Sequence, residues 1–165
     1  MLSHCASCRL SFQLDVVATI LADTPETAIA APGAGGSWSA REHLAHLARV
    51  HEILLERLRR ILREDAPHFA AYDARQDPDW PHWAALPTRD VLTRMQALRG
   101  ELLGLVRDLS EAQLSRQGTH PELGRLPVSA WLETFFLHEG HHLHVAWSRL
   151  AEARRESGRE TPAGA

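Results

Sequence analysis

"FFLHEGHHLHVAW", residues 135–147, places four histidines within seven positions, at 138, 141, 142 and 144, among bulky apolar residues. On a helical wheel at about 100° per residue, Trp131, Phe135, His138, His142, Val145 and Arg149 fall in one narrow stripe, with alternating steps of four and three. That is the spacing of a seam between packed helices. His138 and His142 therefore point where core residues point, one turn apart, and two imidazoles so placed can reach one metal ion. His141 lies on the flank of the stripe, and His144 lies well away from it, toward solvent. Leu132, Phe136, Leu143 and Leu150 form a second apolar face, so this helix is buried on more than one side. A lone buried histidine usually just hydrogen-bonds to its neighbours. Two facing each other unpaired would cost about 1–3 kcal/mol each, and one metal ion resolves both.

Working outward, the helix starts near Pro127, a residue favoured at a first helical position, and is expected to run to about Ala153. Upstream, apolar Leu10, Leu14, Val17 and Leu21 predict a first helix from about Cys8 to Asp23. "TPETAIAAPGAGGS" breaks that pattern with proline and glycine. Ser39, with Glu42 three residues on, forms a capping box that opens a second helix. Leu44, Leu47, Leu54, Leu58 and Ile61 carry its core stripe to about Arg63. Val91, Leu92, Met95, Leu98, Leu102 and Leu105 predict a third helix from Thr88 to about Leu109. Between helices two and three runs a polar connection from Glu64 to Thr88, long enough to read as a functional loop or lid. "SEAQLSRQ" reads as a short turn of helix, and "GTHPELGRLP" as a loop with at most a brief extended piece. The fold class is thus all-α: a four-helix bundle, whose core commonly holds metal ligands on facing helices. One domain is expected over residues 1–156, followed by a disordered polar tail over 157–165.

Composition removes several function classes. The chain has 165 residues, 44% apolar and 24% charged, with a formal net charge of -3. Its cations are scattered arginines, without the clustering that nucleic-acid binding needs. No apolar run approaches membrane-spanning length, and no secretory leader pattern is present. The only cysteines, Cys5 and Cys8 in "HCASC", make neither a disulfide framework nor a complete zinc cluster, so a reducing cytoplasm is the default location.

Two histidines are an incomplete site, and "REHLAHLARVHE" on the second helix offers His43, His46 and His51. On the wheel His43 and His51 lie nearer the centre of the apolar stripe and His46 at its edge, so periodicity leans toward the first two.

"WSAREHLAHLARVHE", followed at the other end of the chain by "HEGHHLHV", resembles the DinB/YfiT superfamily of four-helix-bundle metalloproteins. The resemblance covers nearly the whole chain in helix count, helix lengths and order of motifs. Carried over by position, it implies a metal triad of His46, His138 and His142, against the wheel's preference on the second helix. It puts His51 one turn beyond the site. The chain departs from the family where a glutamine or histidine often follows the last ligand by three residues; here that position is Val145, with His144 beside it. The resemblance implies a divalent transition metal, zinc or nickel, that lowers the pKa of a bound thiol or water. It implies a thiol S-transferase of bacillithiol or mycothiol type acting on a small electrophile, or a metal-dependent hydrolase. The partners are then a small-molecule substrate and a low-molecular-weight thiol, with neither nucleic acid nor membrane; a homodimer is compatible with such a bundle.

Two rivals remain at this level. H-E-x-x-H, from His138 to His142, is literally the zincin peptidase motif with Glu139 as general base, but downstream only Glu152 offers itself as a third ligand. Alternatively, the bundle binds metal without catalysis, as a stress-related protein, with Trp80 and Trp83 of the long connection serving as a partner surface or as anchors on the bundle.

Overall fold

The structure is a computed structural model that describes residues 2–159. It is a four-helix bundle in which three helices are long and one is broken. The broken one is N-terminal: α1 (His4–Phe12), a 3-10 turn (Gln13–Asp15) and α2 (Val16–Leu21) replace the single helix expected over Cys8–Asp23. Ser3 caps α1 by accepting from the Ala6 amide at 3.1 Å. The break falls just before "VVATI", whose β-branched residues restrict rotamers in a helix. At the break, Gln13 donates to the Phe136 carbonyl oxygen at 3.1 Å, tying this strand of the bundle to the last helix. The short α3 (Glu26–Ile29) follows, and its Glu26 carboxylate accepts from the Thr88 hydroxyl at 2.9 Å.

α4 (Ala40–Arg63) begins with the expected capping box: Ser39 Oγ accepts from the Glu42 amide at 3.1 Å, and the Glu42 carboxylate accepts from the Ser39 amide at 2.8 Å. α6 (Thr88–Val106) ends three residues before the expected Leu109, and α8 (Val128–Arg159) runs beyond the expected Ala153. Of the expected tail, 160–165 lie outside the described residues. α4 packs against both α6 and α8, and the shared core holds Leu44, Leu47, Leu58, Leu102, Leu132 and Phe136, all essentially inaccessible. Among the described residues, no helix is long and apolar enough to cross a membrane.

The connection from Glu64 to Thr88 is ordered by staples. Arg49 of α4 donates through Nε to Asp77 at 2.7 Å and through Nη1 to Glu52 at 2.6 Å. Within the connection α5 (Trp80–Ala85) buries Trp83, with the Arg94 guanidinium 4.8 Å above its ring. Trp83 is therefore an anchor on the bundle.

After the short α7 (Glu111–Leu114), the stretch expected as a loop is a hairpin, β1 (Gln117–His120) paired antiparallel with β2 (Gly124–Pro127). The hairpin grips the long connection: the Thr119 amide donates to the Pro67 carbonyl at 2.8 Å, and Thr119 accepts from the Phe69 amide at 3.2 Å. Gly118 permits this approach, because a Cβ there would stand 2.7 Å from Ile61 Cγ1 and 2.9 Å from Phe69 Cε2.

Candidate metal centre

The two site helices meet through their histidines. His46 Nε2 of α4 and His138 Nε2 of α8 stand 3.0 Å apart. The His142 ring centroid lies 4.4 Å from that of His46 and 4.5 Å from that of His138. One ligand nitrogen from each of the three lies within 4.8 Å of the others. The structure thus brings together His46, His138 and His142. The remaining histidines take other places. His43 reaches the same cluster from behind, its Nδ1 2.9 Å from Nδ1 of His142, so it touches one member of the triad rather than its centre. His51 is fully buried and donates from Nδ1 to the Leu47 carbonyl at 2.7 Å. The wheel ranks these histidines by their distance from the α4 stripe, which differs from their distance to α8. The middle of the α4 stripe faces the bundle axis, where His51 sits, whereas a site shared with α8 alone lies toward the stripe's edge. His141 and His144 are exposed. Cys5 and Cys8 are free, with Cys8 Sγ 3.5 Å from His4 Nε2.

Burial keeps the cluster uncharged. It pushes the His46 imidazole down to about 3, assisted by His138 and then His43. Burial, then His46 and His138, take His142 to about 2. His138 is lowered by burial and by His141, and His43 falls to about 4 through burial and then Arg149. At neutral pH these rings carry lone pairs and no charge, the state in which imidazole binds metal.

An aromatic roof covers the triad. Trp38, the residue before the α4 cap, packs 5.1 Å from His46 and 5.5 Å from His43, and Trp80 backs it at 4.7 Å. Tyr72, from the long connection, stacks on His46 at 5.6 Å and 23°. Beside His138 opens a cavity of about 270 Å³, also lined by Tyr72, Phe135, Trp131, His120 and Arg57. The long connection does therefore border the site, through Tyr72.

Glu139, the would-be general base, is corrected by the structure. Its carboxylate is wholly inaccessible and accepts from Arg99 of α6, with His51 Nε2 3.3 Å away. Burial pushes its pKa up to about 7, with Arg99 pulling in the opposite direction. It belongs to a polar pair inside the bundle and does not face the triad. Glu152 is paired with Arg149 at 3.1 Å, and the only sheet among the described residues is the two-stranded hairpin. Sequence reasoning missed the Arg99–Glu139 pair, the His43 contact and the roof. The one signal for the roof was the tryptophan directly before the capping box.

Comparison with known proteins supplies the rest. A protein of Oceanobacillus iheyensis named "putative metal-dependent hydrolase" is 30% identical over 113 residues, 66% of this chain and 62% of that one. This chain thus spans less than two thirds of that relative's length. "Putative metal-dependent hydrolase YfiT" of Bacillus subtilis is 27% identical over 131 residues, 77% of this chain and 70% of that one. The solved structure of YfiT, described as "a probable metal-dependent hydrolase with an unusual four-helix bundle topology", matches with a TM-score of 0.74. That match covers 96% of this chain and 91% of the other at 21% identity, which establishes likeness of fold. Residues 9–146 match the DinB superfamily, a span reaching from α1 through all three clustered histidines, and the chain belongs to that superfamily.

Proposed function

We propose that this chain is a metal-dependent enzyme in which His46, His138 and His142 hold one divalent transition ion and a small electrophile in the adjoining cavity is attacked by a thiol or by water. The observation that carries the reading is an uncharged three-histidine cluster with a cavity against one of its members. The fit to an ion has support within the cluster: two imidazole nitrogens confront each other at 3.0 Å, and the second nitrogen of His46 is buried with no hydrogen-bond partner. Zinc or nickel suits an all-imidazole donor set. When bound, the ion would supply the positive charge that lowers the pKa of a thiol or water beside it. The protein's own part is to hold His142 through His43, to exclude water with Trp38 and Tyr72, and to seat the substrate. Glu139, committed to Arg99, takes no part in proton transfer.

The S-transferase reading, with bacillithiol or mycothiol as thiol, comes from the family resemblance. The names of the relatives favour water and a hydrolase. The two free cysteines suit a reducing cytoplasm as the place of action. The test is conjugation of a generic electrophile by metal-loaded protein with bacillithiol, mycothiol or glutathione, set against His142→Ala. Product that depends on both thiol and His142 supports transfer. Product formed without thiol, and lost in the variant, supports hydrolysis. Neither outcome across a broad panel sinks the enzymatic reading in favour of a non-catalytic metal-binding protein.

A further inference from the structure

The cavity beside His138 is walled by hydrogen-bond donors that the metal reading leaves unused. Arg57 of α4 lines it half-buried. Its Nη2 donates to the Ala70 carbonyl at 2.8 Å, and its guanidinium lies 5.6 Å from the rings of both Phe69 and Trp131. Arg57 forms no ion pair among the described residues, in contrast to Arg49, Arg59 and Arg60 on the same helix. The indole Nε1–H of Trp131, on α8, is buried with no acceptor. His120, on β1, accepts at Nδ1 from the Glu122 and Leu123 amides at 3.2 Å each, which puts the proton of the neutral ring on Nε2 as a further donor. The one carboxylate on the wall, Glu122, is exposed. The Trp131 N–H is enclosed by its neighbours and out of a ligand's reach, so the donors open to the cavity are the Arg57 guanidinium, which has no carboxylate partner among the described residues, and His120 Nε2. Both donate, and a ligand that answers both must accept.

We infer that this recess binds a carboxylate of a reactant, with Arg57 and His120 donating to its oxygens while the rest of the molecule extends toward His138. The inference rests on the metal-centre reading for the direction in which the ligand extends. One guanidinium matches the single charge of a carboxylate and the fork of its two oxygens. A phosphate, with nearly two charges, would find no second cation here and an acidic residue on the wall. The cavity of about 270 Å³ takes a small organic acid.

Isothermal titration calorimetry with butyrate, its neutral isostere butyramide and inorganic phosphate tests this, on metal-loaded and on metal-free protein. Butyrate should bind about tenfold to a hundredfold more tightly than butyramide, the worth of a charge-assisted hydrogen bond, and should do so with or without metal. Arg57→Met should abolish the preference and His120→Phe should weaken it, each checked by thermal melting. If Arg57→Met does not fold, Arg57→Lys, which keeps the charge but loses the fork, should reduce it. With metal loaded, tighter binding of 3-mercaptopropionate than of butyrate assigns the carboxylate to the thiol reactant, and equal binding assigns it to the electrophile. Equal affinity for butyrate and butyramide, absence of binding by either, preference for phosphate, or a preference that survives in Arg57→Met overturns the inference. A butyrate preference in a protein that loads no metal sinks the metal reading alone, and metal loading without the preference sinks this one alone.

Discussion

Replacing Glu139 with leucine should unfold the protein far more easily, and replacing Arg99 with methionine in the same chain should restore most of the loss. The magnitude follows from burial. The Arg99 side chain is 7% exposed and that of Glu139 0%, and the two are paired directly. Removing one partner leaves a guanidinium charged in the bundle interior, which costs about 3–5 kcal/mol. Replacing both with apolar groups of similar volume removes the desolvation cost together with the attraction and is near neutral or stabilising. For a domain of this size about 2–4 °C of melting temperature accompany each kcal/mol, so the single variant should melt roughly 6–20 °C lower. Thermal and urea unfolding of native, single and double variants make the measurement, and metal content of the double variant is taken alongside it. The double variant should keep its ion, because neither residue belongs to the triad. A single variant within about 1 kcal/mol of native, or a double variant worse than the single, would refute the reasoning. A double variant that folds and binds metal but loses a metal-dependent activity would return Glu139 to the role of general base.

The remaining predictions concern the histidines and the hairpin. Alanine at His46, His138 or His142 should abolish loading of one divalent ion per chain by elemental analysis, and alanine at His144 should leave it intact. His43→Ala should keep the stoichiometry but weaken affinity about 10- to 100-fold, the usual cost of losing a group that orients a ligand, and unchanged affinity in a metal titration would remove His43 from that role. Metal-free protein should lose stability as pH falls from 7.5 to 5.5. The unfolded chain takes up protons near the ordinary 6.5, while His43, His46 and His51 hold out to about 4, 3 and 3. Each contributes a loss of about 1.4 kcal/mol at pH 5.5. Glu139, raised to about 7, works in the opposite sense and returns roughly 2 kcal/mol of that loss. Urea unfolding at the two pH values measures the difference, and stability that rises toward pH 5.5 would contradict it. Gly118→Ala should cost about 1–3 kcal/mol by overpacking against Ile61, and a variant as stable as native in urea would show that hairpin and α4 can separate without strain.

The long helices were legible because their signals are local and repeated. Ser39 and Glu42 marked the start of α4, and leucines at steps of three and four carried it to Arg63, where the helix does end. The α8 seam likewise put His138 and His142 on one face, where the structure has both beside His46, since their spacing along one helix fixes their common direction. Contacts made across the fold were much less visible. The hairpin strands "QGTH" and "GRLP" lack an apolar alternation, because their stability comes from pairing and from Phe69 and Pro67 on a distant loop. The 3-10 break at Gln13 has no proline or glycine to announce it. Which α4 histidine meets His138 depends on where α8 crosses α4, a relation between helices that a wheel drawn for one helix does not contain. Nothing in the local sequence singles out Arg99, and only the fold places it opposite Glu139.

Within the triad, His46 and His138 lie 92 residues apart along the chain. At a synthesis rate of about 5–20 residues per second, the first histidine emerges roughly 5–18 s before its partners. A single imidazole competes poorly for scarce ions, so the growing polypeptide reaches the end of α8 with its nitrogens free. On the proposed reading, loading would follow synthesis of α8. On the same reading, a product that stops short of His142 would lack one of the three donors, so metal uptake would report synthesis at least as far as that residue.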